Sequence, residues 1–328
     1  MRIIWKLSFV FLILCLNAFS QIVKFIEKKE FFLDTIFEIK IEESKNGEEI
    51  LNLSFELVKN LENKLSIYKE ESEVSKLNKY KRYNVSSEVL EVIKKSIYIS
   101  EITDGAFDIT CKPIIFLYKK KFKENQIPTE KEIKEVLKKV GWKNIKIEGN
   151  EVILEKEAEI DLGGIAKGYI VDKVSEFLKS KGIKNGLVNG GGDLYCWGTN
   201  PEKKKWKIGI EDPFEENKLI GNFMITERGI ATSGNYKRYL KIKNQKIGHI
   251  VNPKTGVPVE EIPVSVTVIA SNCTIADGFA TGIFVLGIEK GLDLVNKNKG
   301  IECLIIDKDK KIYKSSNFPN FTGNFRFK

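Results

Sequence analysis

The sequence predicts a single α+β domain in which strands and helices are interspersed. The chain has 328 residues, of which 42% are hydrophobic, and this is enough to bury one large core. Strand-like and helix-like patterns follow one another without the regular β-α alternation that is typical of a doubly wound parallel sheet. No repeat of roughly 20 to 50 residues is visible, and no Pro- or Ser-rich linker divides the chain.

Hydrophobic periodicity predicts the elements of the first half of the chain. Alternating apolar and polar residues indicate strands, and apolar residues at a spacing of three or four indicate helices. Glu132 completes a capping box with Thr129. The predicted elements are a strand over Phe31–Ile41, a helix over 48–65, a helix from Ser86 or Ser87 to Gly105, a helix from Thr129, and two short strands joined at Gly149-Asn150.

In the second half, short apolar runs bounded by glycine predict mostly strands. Residues 276–282 lie inside an apolar stretch that we predict to be helical. The other predicted elements are a strand end over Ala158–Leu162, a helix over Lys167–Lys179 that stops near Gly182, and strands over Gly186–Asn189, Trp206–Glu211, Asn222–Thr226, Val264–Ala270 and Ile301–Asp307.

The composition excludes several classes of protein. With 30% charged and 10% aromatic residues, the chain is neither a disordered tail, a collagen nor a multi-span membrane protein. The formal net charge of +9 raises the question of nucleic-acid binding, but five of the 54 basic residues are Arg, the residue that reads bases and clamps phosphates. The Lys residues are mixed with Glu, so we expect a solvated surface and no nucleic-acid partner.

The first 20 residues have the pattern of a signal peptide. Arg2 and Lys6 precede an apolar run over 7–16, and small residues at Ala18 and Ser20 follow. We expect cleavage after Ser20, a mature domain over 21–328, and a location outside the cytoplasmic membrane, periplasmic or on its outer face. An uncleaved N-terminal membrane anchor and lipid modification at Cys15 remain open.

The cysteines do not form a recognisable framework. Cys111, Cys196, Cys273 and Cys303 are widely spaced and none belongs to a C-x-x-C pair, so we expect buried free thiols, with pairing left open. His249 is the single histidine of the chain, which gives little support to a zinc site.

Glycine clusters meet acidic and hydroxyl residues between Asp161 and Thr281. D-L-G-G-I-A-K-G (161–168) lies where a strand end leads into a helix, and it can offer helix N–H groups to an anion or simply form a tight turn. V-N-G-G-G-D (188–193) lacks the third glycine of a dinucleotide loop, since Tyr195 stands there. Asp277 and Thr281, four residues apart, would share one helix face and present hard oxygen ligands for Mg²⁺ or Ca²⁺, or act only as a cap and a packed side chain.

Taken in order, eight motifs resemble those of the ApbE family of FAD:protein FMN transferases. The resemblance spans nearly the whole mature chain. The motifs are L-D-T-I-F-E-I (33–39), S-I-Y-K-E-E-S-E-V-S-K-L-N (66–78), D-G-A-F-D-I-T (104–110), D-L-G-G-I-A-K-G, the loop 190–193, T-S-G-N-Y (232–236), H-I-V-N-P-K-T-G (249–256) and A-D-G-F-A-T-G (276–282).

The resemblance implies a T-fold-like architecture and a set of binding residues. A Mg²⁺ ion would be bound by the Gly164 carbonyl, Asp277 and Thr281. Ala280 stands where some members have a second acidic residue, which leaves one carboxylate for the metal, and Leu33 stands where many have Met. The positions that match the family's FAD site are Leu33, Tyr68, Ala106, Phe107, Asp108, Asp161, Lys167 and Val251.

The resemblance also implies an activity, namely transfer of FMN from FAD to a Thr or Ser hydroxyl of another protein with release of AMP. Lys167 and Mg²⁺ would neutralise the pyrophosphate, Tyr68 would stack on a flavin-nucleotide ring, and His249 or Asp161 would accept the proton of the hydroxyl. This chain lacks the acceptor motif D-x-x-[ST]-G-A-[ST], so we expect an exported acceptor domain of a membrane redox complex. The alternatives are an exported FAD pyrophosphatase and a flavin-binding protein without turnover.

Overall fold

An eight-stranded antiparallel sheet organises the chain, which the computed structural model describes over residues 23–235, 239–242, 245–259 and 263–323. The predicted signal peptide (1–20), Cys15 and Tyr236 lie outside these ranges. The strands are β1 (Phe25–Phe32), β2 (Thr35–Glu42), β3 (Arg82–Asn84), β4 (Ile145–Glu148), β5 (Glu151–Leu154), β6 (Gly186–Gly190), β7 (Asp193–Trp197), β8 (Trp206–Glu211), β9 (Leu219–Ile225), β10 (Arg228–Gly234), β11 (Tyr239–Ile242), β12 (Gln245–Gly248), β13 (Ser265–Ala270), β14 (Glu302–Ile306), β15 (Ile312–Lys314) and β16 (Phe321–Gly323).

The large sheet has the order β1-β2-β6-β7-β10-β13-β14-β15, and three small sheets have the orders β16-β9-β8, β3-β5-β4 and β11-β12. None of the helices within the described ranges is long and apolar enough to cross a bilayer. The helices are α1 (Gly47–Leu65), α2 (Glu73–Tyr80), α3 (Ser87–Ile102), α4 (Lys112–Lys123), α5 (Glu130–Leu137), α6 (Ala166–Ser180), α7 (Cys273–Leu286) and α8 (Ile288–Lys297).

Hydrophobic residues cover both faces of the large sheet. On one face, Val266 and Val268 of β13 join the main core with residues of α1, α3, α6 and α7. On the other face, Ile269 and Leu304 pack with Phe223 of the small sheet that contains β8 and β9. Every residue of β13 is therefore buried, including the polar Ser265 and Thr267.

The structure confirms the predicted mixed α+β class and most of the predicted elements. The helix over 48–65, the helix over Lys167–Lys179 and the strand over Trp206–Glu211 correspond to α1, α6 and β8. Thr129 and Glu132 form the predicted capping box. The Gly149-Asn150 turn joins β4 to β5, as predicted.

One predicted strand is wrong, because Phe31–Ile41 is a hairpin. β1 ends at Phe32 and β2 begins at Thr35, and the two turn residues, Leu33 and Asp34, have φ values of 48° and 56°. Two positive φ values are those of a type I′ turn, which usually contains glycine or asparagine. The alternation of apolar residues runs through the turn, so it concealed the hairpin.

Two other boundaries differ from the prediction. The helix that begins at Ser87 ends at Ile102, before Gly105, whose φ of 72° is not helical. Ala158–Leu162 is not part of a sheet. The side-chain amide of Asn78 bonds both the N–H and the C=O of Ile160, at 2.7 and 2.8 Å, and so replaces a partner strand.

The four cysteines within the described ranges are buried and unpaired, which confirms the expectation of free thiols. Burial raises the pKa of Cys196 and of Cys303 to about 12, and it raises the pKa of Cys111 and Cys273 well above the usual thiol value. The thiols are therefore protonated at neutral pH and chemically inert.

A polar cluster joins α3 to α6. The Glu91 carboxylate accepts a hydrogen bond from Tyr169 at 2.9 Å and pairs with Lys173 at 2.8 Å and Lys95 at 3.0 Å. Burial alone would raise the pKa of Glu91, but hydrogen bonds from Lys173, Lys95 and Tyr169 outweigh it and lower the pKa to about 2.

This lowered pKa predicts an acid-dependent contribution to stability. A carboxyl whose folded pKa lies below its unfolded value stabilises the fold above the unfolded pKa of 4.5, and the contribution is lost as the pH falls towards about 2. Glu91→Gln should lower the free energy of unfolding at neutral pH by on the order of 1 kcal/mol, because the partly exposed pairs are screened by water. Urea unfolding at a series of pH values should show the two proteins converging near pH 2. A constant gap would contradict the assignment, and Glu135→Gln, in an exposed pair with Lys138, serves as the control.

Candidate functional site

At the N-terminus of α6, the Gly164 carbonyl lacks the usual hydrogen bond from the amide four residues later. Ala166 N–H bonds Leu162 O at 2.8 Å, and Tyr169 N–H bonds Ile165 O at 3.1 Å. The Gly168 N–H instead donates to Asp277 Oδ2 at 3.0 Å. The carbonyl of Gly164, four residues earlier, is thus not used by this amide and can bind another group.

The close approach of α6 and α7 brings the Gly168 N–H within hydrogen-bond distance of the Asp277 carboxylate. A Cβ atom on Gly168 would lie 2.4 Å from the backbone oxygen of Cys273 and 2.8 Å from Asp277 Cβ, so only glycine fits. One turn further along α6, the buried Asp172 carboxylate accepts the N–H groups of Cys273 and Thr274 at 2.7 and 2.8 Å. Asp172 therefore caps the N-terminus of α7, where a negative charge is favourable.

The three predicted metal-binding residues, Gly164, Asp277 and Thr281, lie together where the start of α6 packs against α7. We call this contact the α6–α7 junction. Asp277 and Thr281 occupy successive turns of α7, and Thr281 Oγ1 is 3.2 Å from the position of a Cβ on Gly164. Thr281 Oγ1 also lies 3.2 Å from Ser233 Oγ on β10. Within the described part of the chain, no group of three or more His, Cys, Asp and Glu side chains is arranged to hold a metal ion. A carbonyl, a carboxylate and hydroxyls form a donor set of hard oxygens, which suits Mg²⁺.

Asp277 carries the one carboxylate of this donor set. Burial raises its pKa, and the nearby Lys167 ammonium and the Gly168 N–H act in the opposite direction. Among the described residues, its single hydrogen bond is the one from the Gly168 N–H to Oδ2, and none of these residues donates a hydrogen bond to Oδ1.

Lys167 forms an ion pair with Asp193, a residue that the sequence analysis placed in a glycine loop but did not assign to the site. The carboxylate of Asp193 is 2% exposed, and the side chain of Lys167 is 22% exposed. Asp193 begins β7 directly after the turn residues Gly191 and Gly192, so the turn determines its place. Ser233 lies in the T-S-G-N-Y motif, but no role in the site was predicted for it.

Phe107, Asp108 and Asp161 lie next to the junction. The ring of Phe107 comes within 3.3 Å of the position of a Cβ on Gly164. Asp161 bonds Ile109 O through its backbone N–H at 2.8 Å, and its Oδ1 accepts the Gly163 N–H at 2.9 Å. Burial raises the pKa of the Asp161 carboxyl. The segments 107–109 and 161–164 are thus held side by side.

Asp108 performs a clear structural role. Its side chain accepts the N–H of Thr110 and the N–H of Trp142, both at 2.8 Å. Burial raises the pKa of Asp108, and these hydrogen bonds oppose the rise. The adjacent Ala106 is buried as well.

The contacts of the other predicted flavin-binding residues, Tyr68, Leu33 and Val251, are with residues outside the junction. Tyr68 is 68% exposed, and Lys119 donates to its hydroxyl at 2.6 Å. Leu33 N–H is held by Glu62 Oε1 at 2.9 Å in the β1–β2 turn. Val251 is buried against a cluster that contains Cys111, Ile114 and Tyr118, and His249, two residues earlier, is exposed.

Comparison with known proteins decides the family. The sequence model of the ApbE family matches residues 33–305, which is most of the chain. The chain belongs to the ApbE family. This ApbE chain is 34% identical over 276 residues to the FAD:protein FMN transferase of Vibrio cholerae, covering 81% of this chain and 82% of the relative. It is also 34% identical over 267 residues to that of Haemophilus influenzae, covering 77% of each.

Solved structures agree with the ApbE assignment. The ApbE protein of Thermotoga maritima superposes with a TM-score of 0.84 at 32% identity, and it covers 90% of this chain and 98% of its own. The flavin transferase ApbE of Vibrio cholerae superposes with a TM-score of 0.79 at 30% identity and the same coverage. The resemblance drawn from the motifs is thereby confirmed for family and fold.

The contact at Gly168 predicts an unusual response to alanine. In an ordinary helix, Gly→Ala stabilises by roughly 0.5 to 1 kcal/mol. At Gly168 the new Cβ would press on the α7 backbone, so Gly168→Ala should destabilise by roughly 1 to 3 kcal/mol, measured by urea unfolding. Gly278→Ala, whose Cβ would meet the flexible end of Ile99, is the matched control and should show a smaller loss. A stabilised Gly168→Ala protein would rule out the tight crossing.

Proposed function

We propose that this chain is an FAD:protein FMN transferase that moves FMN from FAD to a Thr or Ser hydroxyl of an acceptor protein. The activity named for the Vibrio cholerae and Haemophilus influenzae relatives supports it. The observation that carries it is the α6–α7 junction, where the Gly164 carbonyl, Asp277 and Thr281 meet beside Lys167. Hard oxygens next to an ammonium suit a phosphate-bound divalent cation.

The proposed reaction is an in-line displacement at the phosphorus of the FMN half of FAD. The acceptor oxygen forms a bond to this phosphorus while the bond to the bridging oxygen breaks, and AMP leaves with that oxygen. The hydroxyl proton passes to a protein base. Lys167 binds the pyrophosphate and offsets the negative charge that develops on the leaving AMP.

The junction fits the metal that the resemblance implies. Gly164 O, Asp277 and Thr281 would hold Mg²⁺, and Ser233 stands beside Thr281. When bound, Mg²⁺ would supply Lewis-acid stabilisation of charge on the pyrophosphate oxygens. Asp277 Oδ1, to which no described residue donates a hydrogen bond, is the carboxylate oxygen that such a site needs, while the Gly168 N–H fixes the other oxygen.

Flavin binding would use the surface around the junction. The exposed ring of Tyr68 offers a face for stacking, and Lys119 holds its hydroxyl. Phe107, Ala106 and Asp108 would line the site through one continuous segment, with Asp161 and Lys167 facing it from the neighbouring segment. Leu33 and Val251 complete the set of FAD-binding positions.

The base of the reaction is proposed to be His249, with Asp161 as the second candidate. The unperturbed pKa of histidine, about 6.5, suits proton transfer near neutral pH. His249 is exposed, as a group that meets an incoming protein must be. Asp161 accepts the N–H of Gly163, the neighbour of Gly164, and its raised pKa makes it a stronger proton acceptor than an ordinary carboxylate.

We further propose that the protein works outside the cytoplasmic membrane, held there or released after cleavage at Ser20. The signal pattern of residues 1–20 supports this location. The acceptor would be an exported domain of a membrane redox complex that carries a D-x-x-[ST]-G-A-[ST] sequence.

Asp277→Ala should abolish transfer. The full chain, FAD, Mg²⁺ and an acceptor carrying the motif are incubated, and covalent flavin is read as fluorescence in a denaturing gel. Loss of metal binding should slow labelling at least roughly 100-fold, because metal stabilisation is worth several kcal/mol. Asp293→Ala, in an exposed pair with Lys297, should label normally. AMP without labelling would instead indicate a pyrophosphatase, and bound FAD without AMP would indicate a binding protein.

His249→Ala should separate binding from transfer. The variant should bind FAD as the parent protein does, measured by quenching of flavin fluorescence, while labelling slows by roughly 10²- to 10⁴-fold. Undiminished labelling would remove His249 from the mechanism. In that case Asp161→Asn should produce the loss.

A further inference from the structure

The ion pair between Lys167 and Asp193 contains an unusually buried carboxylate for this protein. Asp193 retains 2% of its side-chain exposure, whereas most other ion pairs in the described ranges join more exposed side chains. Taking a carboxylate out of water is costly even when it is paired, so burial of this charge does not by itself make the fold more stable. A role in the candidate site explains the burial of the Asp193 carboxylate better than a gain in stability does.

The backbone around Asp193 is built to deliver this carboxylate. Gly191 and Gly192, with φ values of 68° and 103°, form the two-residue turn between β6 and β7. A Cβ on Gly191 would lie 2.2 Å from Thr35 Oγ1, so β2 packs directly against the turn. The turn is further held by Asn189, whose Oδ1 accepts the Gly192 N–H at 2.8 Å.

Both oxygens of Asp193 are occupied. Oδ2 pairs with the Lys167 ammonium, and Oδ1 accepts the Thr232 N–H of β10 at 3.3 Å. The carboxylate is therefore fixed between the sheet and the first turn of α6. The fixed Asp193 carboxylate therefore also fixes the position of the Lys167 ammonium.

Lys167 pairs with Asp193, and a second carboxylate, Asp277, is within its electrostatic reach. The next residue, Gly168, bonds Asp277 through its N–H, and the charge of the ammonium acts on Asp277. If Asp193 did not hold the ammonium, Asp277 would be the carboxylate left within its electrostatic reach. A lysine paired with Asp277 would occupy the oxygen that a metal ion needs.

On the basis of the proposed function, we propose that Asp193 is a positioning residue that holds the Lys167 ammonium away from Asp277. Asp193 thereby keeps the carboxylate available to the divalent cation and directs the lysine towards the phosphates of FAD. Its effect on the metal is indirect, through Lys167. Residues that orient a metal ligand's surroundings typically change metal affinity by roughly 10- to 100-fold.

The test measures binding of Mn²⁺, as a probe of the Mg²⁺ site, to the full chain without FAD, using the electron paramagnetic resonance signal of free Mn²⁺. Asp193→Asn should weaken binding by roughly 10-fold or more. Lys167→Met should bind at least as tightly as the parent protein, because the competing cation is gone. The double variant should then match Lys167→Met, since Asp193 acts only through the lysine.

Controls make each outcome decisive. Asp293→Asn removes an aspartate from another lysine pair and should bind Mn²⁺ normally. Parental affinity in Asp193→Asn, or a double variant as weak as Asp193→Asn, would overturn the proposal. Asp193→Asn can fail to fold because it leaves the Lys167 charge unpaired, whereas the double variant removes both partners of the ion pair. In that case the Mn²⁺ affinity of the double variant is compared with that of Lys167→Met. A roughly 10-fold weaker affinity in the double variant would overturn the proposal. Because FAD and acceptor are absent, the expected order of Mn²⁺ affinities can be observed even if the transferase assay fails. Asp277→Ala, which removes the proposed metal ligand, should abolish Mn²⁺ binding at this site.

Discussion

The close contact of α6 and α7 at Gly168 is the constraint on which the site depends. Without a side chain at that position, the two helices approach until the Gly168 amide reaches Asp277. The same approach lets Asp172 cap α7. Two buried aspartates, one from each helix, thus fix the crossing in both directions, and one of them, Asp277, is a proposed metal ligand. If that proposal holds, the contacts that stabilise the crossing also position the site.

The large sheet supplies the remaining side of the site. β7 contributes Asp193 and β10 contributes Ser233, and these strands are neighbours in the sheet. α7 packs against β10 and β13, so Thr281 and Ser233 meet across the boundary between helix and sheet. A site built on packed helices and strands is held more rigidly than one built on loops. The residues expected to bind the flavin, by contrast, lie mainly in turns and loops.

Sequence patterns predicted the periodic parts of this fold and the motifs with distinctive chemistry. The regular spacing of α1 and the capping box of α5 depend on local physics, and both were predicted. The Leu33-Asp34 turn was not, because leucine rarely adopts positive φ and no glycine marks the turn, while the Glu62 side chain holds the Leu33 N–H there. Asp193 and Asp172 were missed for a related reason, since their partners lie 26 and about 100 residues away in the chain. The spacing of Asp277 and Thr281 predicted that they share one helix face, and the structure places both on successive turns of α7.

The four buried thiols have a consequence for how the protein matures. Thiol–disulfide exchange needs a thiolate, and burial keeps Cys111, Cys196, Cys273 and Cys303 protonated in the folded state. The folded protein therefore neither requires an oxidant nor reacts readily with one. Within the described part of the chain, the folded protein therefore presents no reactive thiol to its compartment, and these four cysteines can mispair only before they are buried.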